Sequence, residues 1–277
     1  MDFYTLNALK CSKTTTLNYS TSFSMGVWML QKQFRPAIYA IYGFVRFADE
    51  IVDTFHTQDQ KELLNQFKND TYDAIEKQFS TNPILHSFQW AVNKYRIDHE
   101  LIDAFLYSME LDLYKNTYNR EEYHQYIYGS AEVVGLMCLR VFYEGNDQGY
   151  QNLVHPARKL GEAFQKVNFL RDMLSDYHER GRVYFPEVDF KNFDQKMKQD
   201  IEDEIDNDFA EAYKGIKKLN KESRLGVYVA YSYYLKLLKK IRTAPPDKLL
   251  EKRFRVPNST KIFLLVKCFA KHKINAV

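Results

Sequence analysis

Apolar residues recur at three- and four-residue steps along nearly the whole chain, and no stretch keeps the two-residue alternation of a half-buried strand. The pattern predicts a helix opened by Pro36, a residue suited to a first helical turn, and running to about Phe55. Amphipathic helices are predicted over Lys61–Phe79 and Asp98–Lys115, and another over Glu121–Tyr143, rich in small residues around Gly129–Ala131 and Gly135. Pro156 opens a long helix that Gly181 is placed to cap. Asp206–Leu219 and Ser223–Arg242 follow, the latter stopped by Pro245 and Pro246. The stretch Lys261–Lys273 mixes Lys with Phe, Leu and Ile and reads as a packed terminal helix, with contact to a membrane surface as its alternative. No low-complexity linker divides the chain and no internal repeat is visible, so residues 1–277 are expected to form one all-α domain.

Two of these helices interrupt their apolar pattern with paired carboxylates, Asp49…Asp53 and Asp172…Asp176. Like charges four residues apart cost an exposed helix roughly 0.2–0.5 kcal/mol, and burying them unpaired costs more. A divalent metal with an anionic ligand is the expected counter-charge. At about 100° per residue, with Tyr42 as origin, Arg46 falls near 40°, Asp49 near −20° and Asp53 near 20°. From Gln165, Asn168 falls near roughly −60°, Asp172 near −20° and Asp176 near 20°. Each helix therefore presents a polar stripe about three turns long, with Arg46 and Arg171 beside the acids. Carboxylate and amide oxygens suit Mg²⁺, which keeps waters and takes substrate phosphates alongside one or two carboxylates. The acid-rich run Asp200–Asp208 repeats the spacing without an apolar context and is expected to be a solvated face.

A phosphorylated substrate fits the neighbouring residues. Arg182 and Tyr184 lie in a Gly181–Pro186 segment, either a loop folding Arg182 onto phosphate oxygens or an ordinary surface turn. Ser20 and Ser22 are phosphate ligands or helix caps. Aromatic residues make up 16% of the chain, with 21 Tyr and 20 Phe. Most must be core filler, but aromatic faces also stabilise cations by about 0.5–2 kcal/mol each. A net charge of +3 is too small to argue for nucleic acid. Three scattered cysteines give neither a disulfide framework nor a zinc site and fit a reducing cytosol. The N-terminus lacks the layout of a signal peptide, and the apolar run Ile262–Val266 is too short to span a bilayer.

Four stretches resemble the squalene/phytoene synthase family, the head-to-head trans-isoprenyl diphosphate synthases: Ser20–Ser24; Ala40–Arg46 running into Asp49…Asp53; Tyr126–Gly135; and Gln165…Asn168…Arg171–Asp172…Asp176 with Arg182–Pro186. The likeness spans about residues 20–186, continues more weakly to Lys261, and is greatest to bacterial phytoene synthases. It implies a helical bundle around a deep central cavity, with Asp49, Asp53, Asn168, Asp172 and Asp176 on Mg²⁺, or Mn²⁺ in its place. Ser20, Ser22, Phe23, Arg46, Gln165, Asn168, Arg171, Arg182 and Tyr184 would bind diphosphate, and Tyr42, Tyr126 and Tyr234 would line the cavity as guides of a cation. The implied reaction joins two geranylgeranyl diphosphates to phytoene without NADPH, in the cytoplasm, with a peripheral contact at the inner face of the membrane left open.

The sequence departs from the family in carrying Glu50 after the first Asp, at the edge of its stripe, and Ser175 before the last. The Arg255–Val256–Pro257 region is looser than the family pattern, so no phosphate role is assigned to Arg253, Arg255 or Lys261. The alternatives are a squalene or dehydrosqualene synthase using farnesyl donors, and a non-catalytic helical assembly or binding protein, against which the four intact aspartates count. A di-iron bundle needs two Glu-x-x-His motifs, and only Glu121–His124 matches.

Overall fold

A computed structural model describes residues 1–178, 181–186, 188 and 193–274. Its helices are α1 (Phe3–Tyr19), α2 (Thr21–Trp28), α3 (Arg35–Asp53), α4 (Gln60–Lys77), α5 (Pro83–Tyr95), α6 (His99–Leu111) and α7 (Arg120–Ile127). They continue as α8 (Val133–Phe142), α9 (Asp147–Gln151), α10 (Val154–His178), α11 (Gln195–Ile216), α12 (Lys221–Arg242) and α13 (Asn258–Lys273). Among the described residues the sole β pairing is an isolated bridge between Thr117 and Val183, so the all-α expectation holds.

Four helices, α1, α2, α5 and α9, had no counterpart among the predicted elements. The buried seam of α1 is Thr5, Ala8, Leu9, Ser12 and Thr16, mostly small and polar, so hydrophobic spacing does not reveal it. Those small residues allow close approach instead, with the Ser12 and Ser87 hydroxyls 2.6 Å apart between α1 and α5. α5 is announced only by its N-terminus, where Asn82 accepts from the backbone of Ile84 and Leu85 and Pro83 opens the helix.

The expected helix over Glu121–Tyr143 is α7 and α8 joined by a π-helical turn, Tyr128–Glu132. Such turns insert a residue and re-aim side chains, and this one puts the Ser130 hydroxyl 3.1 Å from Gln165 Nε2. Past the end of α10, Gly181 has φ 65°, a left-handed conformation that glycine adopts without a Cβ penalty.

The core has two parts. One fills the space among α3, α4, α5, α6 and α8, where Phe44 stacks on Phe88 with ring centroids 3.8 Å apart. The other is rich in aromatics and lies among α7, α10, α11 and α12. Between them runs an apolar cavity of about 330 Å³, bounded by α2, α3, α8, α10, α11 and α12.

The run Asp200–Asp208 is a solvated face only in part: Asp200, Asp203 and Asp206 are exposed, but two of its acids are not. Glu202 and Asp208 are buried, each opposite a lysine: Lys198 Nζ lies 2.5 Å from Glu202, and Lys166 Nζ lies 2.6 Å from Asp208. The lysines make the difference, since carboxylates are buried where a cation meets them.

Candidate active site

α3 and α10 carry the acid pairs, and each buries most of its circumference. On α3, Ala37, Ile38, Ile41, Phe44, Ala48, Ile51 and Val52 are buried, while Tyr42, Arg46, Asp49 and Asp53 are only partly so. The stripe read from the spacing therefore faces an opening. On α10 the stripe Gln165, Asn168, Asp172 is likewise partly exposed, with Asp176 buried at its end.

The cavity mouth joins three helices. Tyr42 from α3, Gln165 and Asn168 from α10, and Tyr234 from α12 all line it. Tyr234 donates to Asn168 Oδ1 at 3.1 Å, and Asn168 Nδ2 donates to Gln165 Oε1 at 3.3 Å. Phe23 stacks on Tyr42 at 4.9 Å and Phe164 on Tyr234 at 3.9 Å. Burial pushes the Tyr42 phenol up to about 12 and raises Tyr234 as well, so both stay neutral. Deeper in, the wall is aliphatic and aromatic: Leu30, Ile38, Leu139, Phe142, Leu153 and Leu219.

Among the described residues, arginines meet Asp49, Asp53 and Asp172. Arg46 pairs with Asp49 and also with Glu50, which gives Glu50 a partner on the stripe rather than a place at its edge. The Arg46 guanidinium lies 4.3 Å over the Tyr19 ring, and its Nε is buried with no acceptor among the described residues. Arg171 Nε donates to Asp172 Oδ1 at 3.0 Å, and Arg253 reaches the same oxygen at 2.7 Å. Arg253, in the looser C-terminal stretch, thus belongs to the second acidic helix. Ser175, which replaces a family acid, turns back to its own helix, donating to the Asp172 carbonyl at 3.1 Å.

The Gly181–Pro186 segment is neither a flap over the opening nor a surface turn. Its Arg182, Tyr184 and Phe185 are buried, and it ties the two acidic helices together. Arg182 Nη1 lies 3.1 Å from Asp53 Oδ1, and the Arg182 backbone N–H donates to the Asp176 carbonyl at 2.7 Å. Val183 N–H donates to the Asn116 carbonyl at 2.7 Å.

Beneath Arg182 sits a residue the sequence reading missed, Asp112, at the end of α6. Arg182 Nη2 donates to its carbonyl at 2.7 Å and Nη1 lies 3.7 Å from its carboxylate. Tyr126 donates to Asp112 Oδ2 at 2.8 Å, and the Tyr184 hydroxyl is 3.4 Å from Oδ1. Burial pushes the Asp112 carboxyl up to about 7, against the pull of Arg182. Burial also opposes charge on Arg182, but Asp112, Tyr184 and Asp53 more than offset it and raise its pKa. The signal for Asp112 was slight, an acid capping the C-terminal end of α6 just after Glu110 and Leu111.

Tyr126, expected on the cavity wall, stands in this buried cluster instead, its ring 5.1 Å from both Tyr118 and Tyr184. Tyr184 stacks 4.2 Å from Phe169 and supports Arg182 from behind. The aromatic packing of the second core draws both tyrosines away from the cavity. Ser20 caps α2 by accepting from the Phe23 N–H at 3.2 Å and also bonds Tyr42, while Ser22 is half-buried on the same helix.

A second acidic group, Glu162, Glu204 and Asp208, lies on an adjacent face of α10 and on α11. Its centre is filled by Lys166 Nζ, 2.6 Å from Glu162, 2.5 Å from Glu204 and 2.6 Å from Asp208. That ammonium takes the place of a metal. The donors at the cavity mouth are different in kind. Carboxylates and an amide oxygen on two facing helices, already matched by guanidinium charge, are the oxygen-only set that suits Mg²⁺.

A family model described as squalene/phytoene synthase matches residues 16–260. The 4,4'-diapophytoene synthase of Staphylococcus haemolyticus is 27% identical over 250 residues, 82% of this chain and 85% of the relative. The 15-cis-phytoene synthase of Synechocystis is 28% identical over 292 residues, 93% of this chain and 83% of the relative. A crystal structure of a dehydrosqualene synthase in complex with ligand superposes with a TM-score of 0.80 at 21% identity, covering 97% of this chain and 98% of the other, a likeness of fold.

Proposed function

The chain belongs to the squalene/phytoene synthase family, and from that premise we propose that it condenses two geranylgeranyl diphosphates head to head to phytoene. The observation that carries the reading is one apolar, aromatic-walled cavity whose mouth lies between two aspartate-bearing helices. We take all 277 residues as the one domain that does this.

The first diphosphate leaves, the second donor's double bond attacks the allylic carbon, and loss of a proton closes a cyclopropylcarbinyl diphosphate. The second diphosphate then leaves, the ring opens to a 1–1′ link, and loss of another proton gives phytoene. No hydride enters, so no NADPH is required. Arg46, Arg171 and Arg182 hold the diphosphates and meet the charge that grows on them as they depart. Asp49, Asp53, Asn168, Asp172 and Asp176 would hold Mg²⁺, or Mn²⁺, which stabilises leaving diphosphate as a Lewis acid. Tyr42 and Tyr234, kept neutral, offer ring faces to the allylic cation. The aliphatic wall keeps water from quenching it. The identity with 4,4'-diapophytoene synthase favours a second reading, in which farnesyl diphosphate is the donor and dehydrosqualene the product.

Incubating purified protein with either donor and Mg²⁺, and identifying the hydrocarbon by mass spectrometry, tests both readings. Phytoene from the C20 donor is expected, and consumption of neither donor refutes the enzyme. Asp53→Ala and Asp176→Ala should each lower turnover by at least about a hundredfold with helicity unchanged, the scale seen when one charge-stabilising group is removed from an active site. Near-normal rates in either variant defeat the two-sided site.

A further inference from the structure

α13 is apolar on two opposite faces. One packs on α12, where Cys268 is buried and bonds Ser232, with Leu264 and Leu265 beside it. On the other, Ile262, Phe263, Val266 and Phe269 fall within an arc of roughly 120°, and the first three are 62%, 65% and 60% exposed.

α2 lies alongside α13, pointing the same way. At their N-terminal ends Lys261 Nζ is 3.1 Å from Thr21 Oγ1, and at their C-terminal ends Met29 and His272 border one shallow depression. Trp28, 58% exposed, shares the face of α2 that carries Thr21, two turns along. The opposite face of α2, with Phe23, Gly26 and Val27, lines the cavity. Only the thickness of α2 therefore separates an exposed apolar surface from the apolar cavity. α2 sits flush on α12, since a Cβ on Gly226 would come within 2.7 Å of the Gly26 carbonyl.

The charge around this surface is predominantly positive. Asn258–Lys273 contains Lys261, Lys267, Lys271 and Lys273 and no Asp or Glu. Lys267 and Lys273 stand on or beside the apolar arc, and Lys32 and Lys221 border the depression with a single acid, Glu222. A symmetric contact between two copies would set these lysines against themselves. An anionic lipid surface instead satisfies both the apolar arc and the lysines.

We propose that the α2–α13 face docks this protein on anionic bilayers. It rests on the surface alone, and under the proposed function it would bring the cavity wall against the phase that dissolves prenyl chains.

Flotation of the full chain with phosphatidylcholine vesicles, with and without phosphatidylglycerol, tests it without reading turnover. The wild-type chain should float with the anionic vesicles only. The pair Ile262→Glu and Phe263→Glu should lower binding by at least about tenfold, and Lys267→Glu with Lys273→Glu should weaken it as added salt does. Both positions of the first pair are exposed, so thermal unfolding and turnover of detergent-solubilised donor should not change. No binding by the wild type, equal binding by the glutamate pair, or a wild-type dimer that the pair makes monomeric each overturns the proposal. Should neither donor react in any assay, vesicle binding still decides this inference separately from the enzymatic reading.

Discussion

Asp112 is where single-residue chemistry is most exposed to test. Its carboxyl is enclosed by Arg182, Tyr126 and Tyr184, and burial lifts it from the usual 3.8 to about 7. An acid whose folded pKa is raised stabilises the fold when protonated. That contribution is full below about pH 4 and is lost as pH climbs towards 7, because the folded state then surrenders a proton the unfolded chain has already lost. Each pH unit across that window is worth about 1.4 kcal/mol. Asp112→Asn removes the titration and keeps an oxygen acceptor for Tyr126. The Tm of Asp112→Asn minus that of the wild-type protein, measured without divalent metal, should therefore become more positive between pH 5 and pH 8, at roughly 2–4 °C per kcal/mol. A difference that is flat across this range would contradict a raised carboxyl. Asp112 escaped the sequence reading because an acid at a helix end, close after Glu110, looks like any exposed terminus, and its role depends on Arg182, 70 residues away.

Among the elements, α10 does two jobs with two faces. Gln165, Asn168 and Asp172 face the mouth, while Lys159, Glu162 and Lys166 lie roughly 60–120° around from Gln165 and meet α11. Lys166 is 1% exposed and holds three carboxylates, with Lys159 bridging Glu162 at 2.6 Å and Asp208 at 2.9 Å. Removing one member of a buried ion cluster leaves uncompensated charge, at a cost of about 3–5 kcal/mol. Lys166→Met should lose stability on that scale in urea unfolding, and adding Glu204→Gln and Asp208→Asn should recover part of it. A Lys166→Met protein as stable as the wild type would mean that the cluster is open to water. The helical stripes of α3 and α10 were legible because burial around them is apolar and periodic. The α11 acids were misread because their burial takes Lys166 and Lys159 from α10 as well as Lys198 four residues before Glu202 on α11 itself, and a one-dimensional pattern does not carry the pairing between helices. α1 was missed because small polar residues, not large apolar ones, make its seam.

For the molecule as a whole, we expect the length of the cavity to select the donor. The bundle and the four aspartates could be read from spacing and resemblance, but the depth of the space between helices could not. α10 lines the cavity from Asn168 at the mouth to Ala157, eleven residues away or about 16 Å along the helix axis. Ala157 is small, lies far from the aspartates and faces Gly135 closely enough that a Cβ there would come 3.3 Å from the Ala157 carbonyl. A large side chain at this position shortens the far end of the cavity and leaves the diphosphate groups untouched. Tail binding is mostly apolar burial, at about 0.8 kcal/mol per methylene, so losing room for one isoprene unit penalises the longer donor alone. Ala157→Phe should lower kcat/KM for geranylgeranyl diphosphate by at least about tenfold relative to farnesyl diphosphate, since the lost burial exceeds 1.4 kcal/mol. Turnover of the shorter donor should stay near its wild-type value, which also shows that the variant folds. If both donors lose activity in parallel, the tail does not reach Ala157, and the donor is selected elsewhere along the wall.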